Sequence, residues 1–316
     1  MKHFIFVFYA LCLLGALLCP PAAAEEDCRL QIVASVPLEE AKNHTGVAAE
    51  VTIAAHTFHF LVDTGSPVSV MTEQTADTLG LKQLGLPDIS YFKLFGGEKT
   101  RHYVGAKDIK IGGTNIPAAK FIVVSTERLH HGEQYDGLIG ADFLSLFDAD
   151  FDFAAQKLNL FLPHRCSGRA VYWTENEDHI AKFPFALLHD HINLPVVIDG
   201  KKVDAILDTG ASSTVMDMHL AETEFGLTPQ SLNMERLSAA DDPAPTYRHT
   251  FITLQFGGVT VNNVPVLLIP RDKSKVSIDL IIGMREINRL HLFIAYKERM
   301  LYVTAAGEKR ASATNP

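Results

Sequence analysis

The apolar positions of this chain fall in short segments rich in β-branched and aromatic residues, each bounded by Gly, Pro, Asn or Asp. That is the signature of strands separated by turns. Val51 to Ile53, Phe58 to Val62, Ile109 to Ile111, Phe121 to Val124, Asn193 to Ile198, Phe251 to Phe256 and Leu301 to Val303 all read this way. Short helices are expected near Glu73 to Leu79, Asp142 to Leu146, His219 to Glu224 and Arg285 to Leu290. The class is all-β with a few helices. One apolar stretch is of another kind: Lys2 precedes a run from Phe4 to Leu18, and Ala22-Ala23-Ala24 stands before Glu25. Residues 1–24 therefore read as a signal peptide. The rival reading is a membrane anchor, for which the run is short before Pro20-Pro21 ends it; acylation at Cys19 is disfavoured by the bulky Leu18 before it.

The pattern then repeats. Phe60-Leu61-Val62-Asp63-Thr64-Gly65-Ser66 returns 145 residues later as Ala205-Ile206-Leu207-Asp208-Thr209-Gly210-Ala211. Val70-Met71 returns as Val215-Met216, and Ile111-Gly112-Gly113 as Phe256-Gly257-Gly258, at the same offset. Asp136-Gly137-Leu138-Ile139-Gly140 answers to Asp279-Leu280-Ile281-Ile282-Gly283. Four landmarks in one order mark two copies of one plan, the first at 25–168 and the second at 169–306, with a polar tail at 307–316. The boundary falls between Pro163 and Phe183, where His164 to Arg169 interrupts the periodicity.

Composition narrows the partners. At 316 residues with 47% hydrophobic and 21% charged positions, the chain is ordinary globular material for two domains. Its formal net charge of -9, without a basic run, argues against nucleic acid. No stretch after residue 24 is apolar and long enough to span a bilayer, so the mature chain is expected to be periplasmic or secreted, with no membrane association. Two of the four cysteines leave with the signal peptide; Cys28 and Cys166 remain as an even pair in an oxidising compartment, and a disulfide between them is expected, two buried free thiols being the alternative.

The chemistry lies in the repeated Asp-Thr-Gly. An aspartate placed just after three apolar residues sits at the end of a buried strand, where desolvation disfavours its charged form. Gly65 and Gly210 allow a tight turn and a close backbone approach, while Thr64 and Thr209 can lock that turn by hydrogen bonds. One such loop is a weak signal. Two of them suggest Asp63 and Asp208 facing each other across a pseudo-twofold axis and sharing one proton. The ionised member can then act as general base on a water while the protonated one polarises a carbonyl, with no cofactor, metal or covalent intermediate required. Peptide-bond hydrolysis is the natural reaction. Ser66 differs from Ala211, and a hydroxyl donating to Asp63 would leave the charge on Asp63 and the shared proton on Asp208.

These residues resemble the retropepsin-like and pepsin-like aspartic protease superfamily over nearly the whole mature chain, and in texture most resemble exported bacterial proteins with two retropepsin-like domains in tandem. The resemblance implies a bilobal acid-protease fold of two pseudo-twofold-related β-barrel lobes. It also implies psi structures packed behind the catalytic loops at Leu138-Ile139-Gly140 and Ile281-Ile282-Gly283. A substrate-closing flap is implied around Phe95, Gly96 and Gly97, without a clear match to the pepsin flap tyrosine. The matching second-lobe segment, Leu237 to Tyr247, has no glycine, and such asymmetry favours a monomer over a symmetric dimer. Too little sequence separates Glu25 from Ile32 for a pepsin-style pro-segment. The expected partner is a polypeptide substrate. The alternatives are a catalytically weak peptide-binding or scaffolding module on the same fold, and a homodimer pairing like lobes.

Plainer readings cover the rest. His56-x-x-His59, His130-His131 and His189-x-His191 invite a metal, but strand residues three apart point to opposite faces, and these histidines read as solvated loop and strand-end positions. Trp173 reads as inter-lobe packing rather than a substrate platform, and the Gly-Gly pairs as hairpin turns, since no phosphate-loop Lys-Ser/Thr follows them.

Overall fold

Each half of the chain closes into a six-stranded barrel, and a third sheet joins the two. The computed structural model describes residues 30–40, 46–86, 91–93, 99–129, 135–163, 170–231, 233–239, 245–270 and 279–307. Residues 1–24, read above as a signal peptide, together with Cys28, Cys166 and residues 308–316, lie outside them. The first half supplies β1 (Ile32–Pro37), β2 (Val47–Ile53), β3 (His56–Val62), β4 (Val70–Thr72), β5 (His102–Ile111), β6 (Thr114–Val124), β7 (Gly137–Ile139), β8 (Asp148–Asp152) and β9 (Lys157–Phe161). The second supplies β10 (Ala181–Pro184), β11 (His191–Ile198), β12 (Lys201–Leu207), β13 (Val215–Asp217), β14 (Tyr247–Phe256), β15 (Val259–Ile269), β16 (Leu280–Ile282), β17 (Leu290–Ala295) and β18 (Met300–Ala305). The barrels run β2-β3-β7-β4-β6-β5, closed by β2 on β5, and β11-β12-β16-β13-β15-β14, closed by β11 on β14.

Local chemistry explains the plan. In β11 the residues Ile192, Leu194, Val196 and Ile198 are buried, while the intervening positions are more exposed, the alternation of a strand with one face on a core. The triplets before each aspartate are apolar throughout for a different reason. β3 and β12 pair in parallel with β7 and β16, so Phe60-Leu61-Val62 and Ala205-Ile206-Leu207 are covered on both faces. Gly112-Gly113 and Gly257-Gly258 are two-residue hairpin turns with positive φ at both positions, 52° and 90° in one, 51° and 95° in the other. Four helices stand where the spacing places them: α1 (Glu73–Thr78), α2 (Ala141–Leu144), α3 (Met218–Phe225) and α4 (Met284–Ile287). The second and fourth are shorter than expected, because Leu290 already opens β17 and the chain after Leu144 must turn at once into β8. Among the described residues no helix is long and apolar enough to cross a membrane.

The joining sheet has the order β1-β9-β8-β17-β18-β10, with β8 of the first half antiparallel to β17 of the second. At this seam Asp150 is fully buried and accepts from the Tyr172 hydroxyl, from Asn159 Nδ2 at 3.0 Å and from His291 Nε2 at 2.7 Å. Trp173 stacks on His291, with ring centroids 3.9 Å apart, and donates its indole N–H to Thr304 Oγ1 at 3.0 Å. Trp173 is therefore packing at the seam, as its sequence context suggests.

Candidate active site

The structure brings Asp63 and Asp208 together. Each stands one residue past its barrel strand, its backbone N–H donating at 3.0 Å to Ile139 O and Ile282 O respectively. The second landmark of each repeat thus holds the first in place. Gly65 N–H donates to Asp63 Oδ1 at 2.8 Å; Gly210 and Ala211 N–H donate to Asp208 Oδ1 at 2.8 and 3.1 Å.

The threonines tie the loops to each other across the pseudo-twofold axis. Thr64 Oγ1 donates to Leu207 O at 2.8 Å and accepts from Thr209 N at 3.1 Å; Thr209 Oγ1 donates to Val62 O at 2.6 Å and accepts from Thr64 N at 3.1 Å. Both side chains are wholly buried. These are bonds between lobes, whereas the sequence reading placed them inside each turn.

The glycines have a reason beyond the turn. A Cβ on Gly65 would lie 2.1 Å from Asp208 Cγ, and one on Gly210 would lie 2.4 Å from Asp63 Cγ. Each carboxylate lies against the opposite loop's glycine, and the two carboxyl groups hydrogen-bond one another. Gly140 and Gly283 are equally constrained, a Cβ there meeting the backbone of Val68 at 2.6 Å and of Ser213 at 2.5 Å. Leu138-Ile139 and Ile281-Ile282 run in β7 and β16 directly beside the aspartate strands.

Behind each loop lies a support that the sequence reading missed. Ser69 Oγ accepts from Gly140 N at 3.0 Å and donates to Asp142 Oδ1 at 2.7 Å. Thr214 Oγ1 accepts from Gly283 N at 3.3 Å and donates to the buried Glu286. Ser69 and Thr214 are 145 residues apart, so the repeat itself carried the signal. Burial raises the Glu286 carboxyl above its ordinary range.

The electrostatics follow from burial and from the closeness of the two carboxyls. Burial lifts the Asp63 carboxyl well above the usual value, and the neighbouring charge of Asp208 and the bond between them add to this. Asp208 is raised by burial as well, with the hydrogen bond from Asp63 and the amides of Gly210 and Ala211 working against the rise, as the amides of Gly65 and Ser66 do for Asp63. Both carboxyls are thus pushed toward sharing a proton, and the hydroxyl bond to Asp63 expected from Ser66 is not made. The reason is geometric: Ser66 Oγ donates to Val68 O at 2.8 Å instead of to Asp63. Two further residues near the pair were not foreseen. Tyr296 is buried and pushed up by burial and by the charge of Asp63, its hydroxyl unbonded among the described residues. His191 lies near Asp208 and the Gly65 backbone.

The hairpin proposed as a flap is present at its base, where Phe92–Lys93 pairs with Lys99–Thr100 and Thr100 Oγ1 donates to Val123 O at 2.8 Å. Phe95, Gly96 and Gly97 lie outside the described residues. His59 Nδ1 pairs with Glu39 at 3.1 Å, and His56 lies against the Phe58 ring. Among the described residues no three His, Cys, Asp or Glu side chains gather as a metal site would need.

Comparisons with known proteins agree with the two-barrel plan. A family model described as aspartyl protease matches the chain twice, at residues 49–143 and 194–285, one match in each barrel. Among solved structures, basic 7S globulin from soybean shares the fold with a TM-score of 0.52 at 12% identity, over 87% of this chain and 95% of that one. No curated protein sequence matches.

Proposed function

The chain belongs to the aspartyl protease family, and from that premise we propose that it is a single-chain aspartic endopeptidase acting outside the cytoplasm as a monomer. Asp208, carrying the charge, takes a proton from a water held between the two carboxyls. Asp63 donates its proton to the carbonyl of the scissile peptide, which spreads the charge developing on that oxygen. An extended polypeptide would lie between the lobes, bound as an added strand beside the paired Phe92–Lys93 and Lys99–Thr100 with alternate side chains in pockets. The observation that supports this best is the pair of hydrogen-bonded carboxyls, each seated on the other loop's glycine and locked by the crossed threonines. A peptide-binding module without hydrolysis would need neither carboxylate.

The test is cleavage of a mixed peptide library from about pH 3 to about pH 7 by the mature protein, beside Asp63→Asn and Asp208→Asn. Each variant should lose on the order of 10²-fold or more of the rate. A folded, monomeric wild type that cleaves nothing, or an Asp63→Asn protein that still cleaves, would overturn the proposal.

A further inference from the structure

One difference between the lobes lies beside the paired aspartates. His191 opens β11 in the second half; the position 145 residues earlier is Gly46. Gly46 is buried near the opposite loop, where a Cβ would sit 3.6 Å from Thr209 O. At this position the first half carries no side chain, while the second half carries an imidazole two residues before Asn193, which pairs antiparallel with Ile206, two residues before Asp208. That ring is half-buried, its Nδ1 is shielded from solvent with no hydrogen-bond partner among the described residues, and it interacts with the Gly65 backbone and with Asp208. The strand holds the residue in place: its carbonyl accepts from Asn193 Nδ2 at 3.0 Å.

We infer that His191 is a positioning residue of this site, which as an imidazolium holds the negative charge of the carboxyl pair on Asp208. The inference rests on the reading of the pair as a proteolytic dyad. Among the described residues, these groups act most on the ring. From the end of β12 comes Asp208, and from the first lobe the Gly65 backbone, both favouring the charged ring; from its own turn come Asp190, which also favours it, and His189, which opposes it. Burial outweighs these and keeps the ring below the ordinary imidazole range, so the cation forms only in acid. The sign follows. A cation beside Asp208 makes that carboxyl harder to protonate, so the acid limb of kcat/KM lies lower with His191 than without it.

Two measurements test this. In the first, the His191 ring is titrated by NMR in Asp63→Asn and in Asp208→Asn, each of which keeps one ionisable carboxyl. Its midpoint should be lower in Asp208→Asn, where the charge has moved away from it; equal midpoints would overturn the inference whether or not the protein hydrolyses peptides. In the second, the pH profile of cleavage is compared for wild type, His191→Gln and His191→Lys. The acid limb should rise by roughly half to one pH unit in His191→Gln and return in His191→Lys, which restores a cation. An unmoved limb in His191→Gln would overturn the inference. Unequal midpoints in the two variants, together with a wild type that cleaves nothing, would sustain the pairing of His191 with Asp208 and overturn the protease reading instead.

Discussion

Removing His291 should destabilise the protein far more than its distance from the aspartates suggests. Asp150 is fully buried at the seam of the joining sheet and His291 is almost so, with 2.7 Å between their bonded atoms. Breaking such a pair by removing one partner leaves an uncompensated polar or charged group in a dry interior and costs about 3–5 kcal/mol. His291→Phe should fall at the lower end, about 3 kcal/mol, because Tyr172 and Asn159 still donate to Asp150. Asp150→Leu should fall at the upper end, about 5 kcal/mol, since it strips the shared acceptor from three donors at once. The double variant removes both members, leaves mainly the Tyr172 hydroxyl without a partner, and should lose only about 1–3 kcal/mol. The assay is urea unfolding near neutral pH, followed by the fluorescence of the chain's single tryptophan, Trp173, which stacks on His291 and so reports on the seam itself. The outcome to look for is a large non-additivity in the double-mutant cycle. Single variants each costing under about 1 kcal/mol, or a double equal to their sum, would refute the reasoning that this cluster ties the lobes together.

Other expectations follow from the same geometry. Gly65→Ala places a methyl 2.1 Å from Asp208 Cγ and should lower the rate by about 100-fold or more in a protein whose circular dichroism is unchanged; wild-type cleavage would show that the carboxyls are not packed as described. The turn between β2 and β3 has Ala54 and Ala55 at φ of 47° and 71°, a left-handed pair that costs about 1–2 kcal/mol per residue for a side chain with a Cβ. Ala54→Asn combined with Ala55→Gly supplies the residues such a turn favours and should raise Tm by about 2–4 °C; a lowered Tm would show the turn to be shaped otherwise.

Much of this architecture was legible in the chain because the repeat gives each observation twice. A lone Asp-Thr-Gly reads as a surface turn, but a second at the same offset, each after an apolar triplet, demands a strand covered on both faces, which the parallel pairs β3–β7 and β12–β16 supply. The doubled glycines were legible as hairpins because only left-handed backbone needs them in that place. What stayed hidden depends on contacts between distant residues. The Asp150–His291 pair joins positions 141 apart. Nothing local says that Ser66 will turn to Val68, and the reason for Gly65 lies in the other half of the chain, on Asp208. His191 was grouped with His189 by spacing, whereas its meaning comes from a comparison with Gly46 that requires the two halves to be superposed.

The crossed threonines also bear on inheritance. In a symmetric pair of identical chains every substitution arrives twice, so a side chain that helps on one side of the axis must be tolerated on the other. Here both loops belong to one chain, and a substitution arrives once. Thr64 and Thr209 keep the matched part matched, each satisfying the other half's backbone. Around that fixed centre the copies have drifted separately: Ser66 stands opposite Ala211, Gly46 opposite His191, Phe153 opposite Tyr296. Joining the halves leaves the surroundings of each aspartate free to differ, and an imidazole on one side of the axis with only a glycine at the matching position is one such difference.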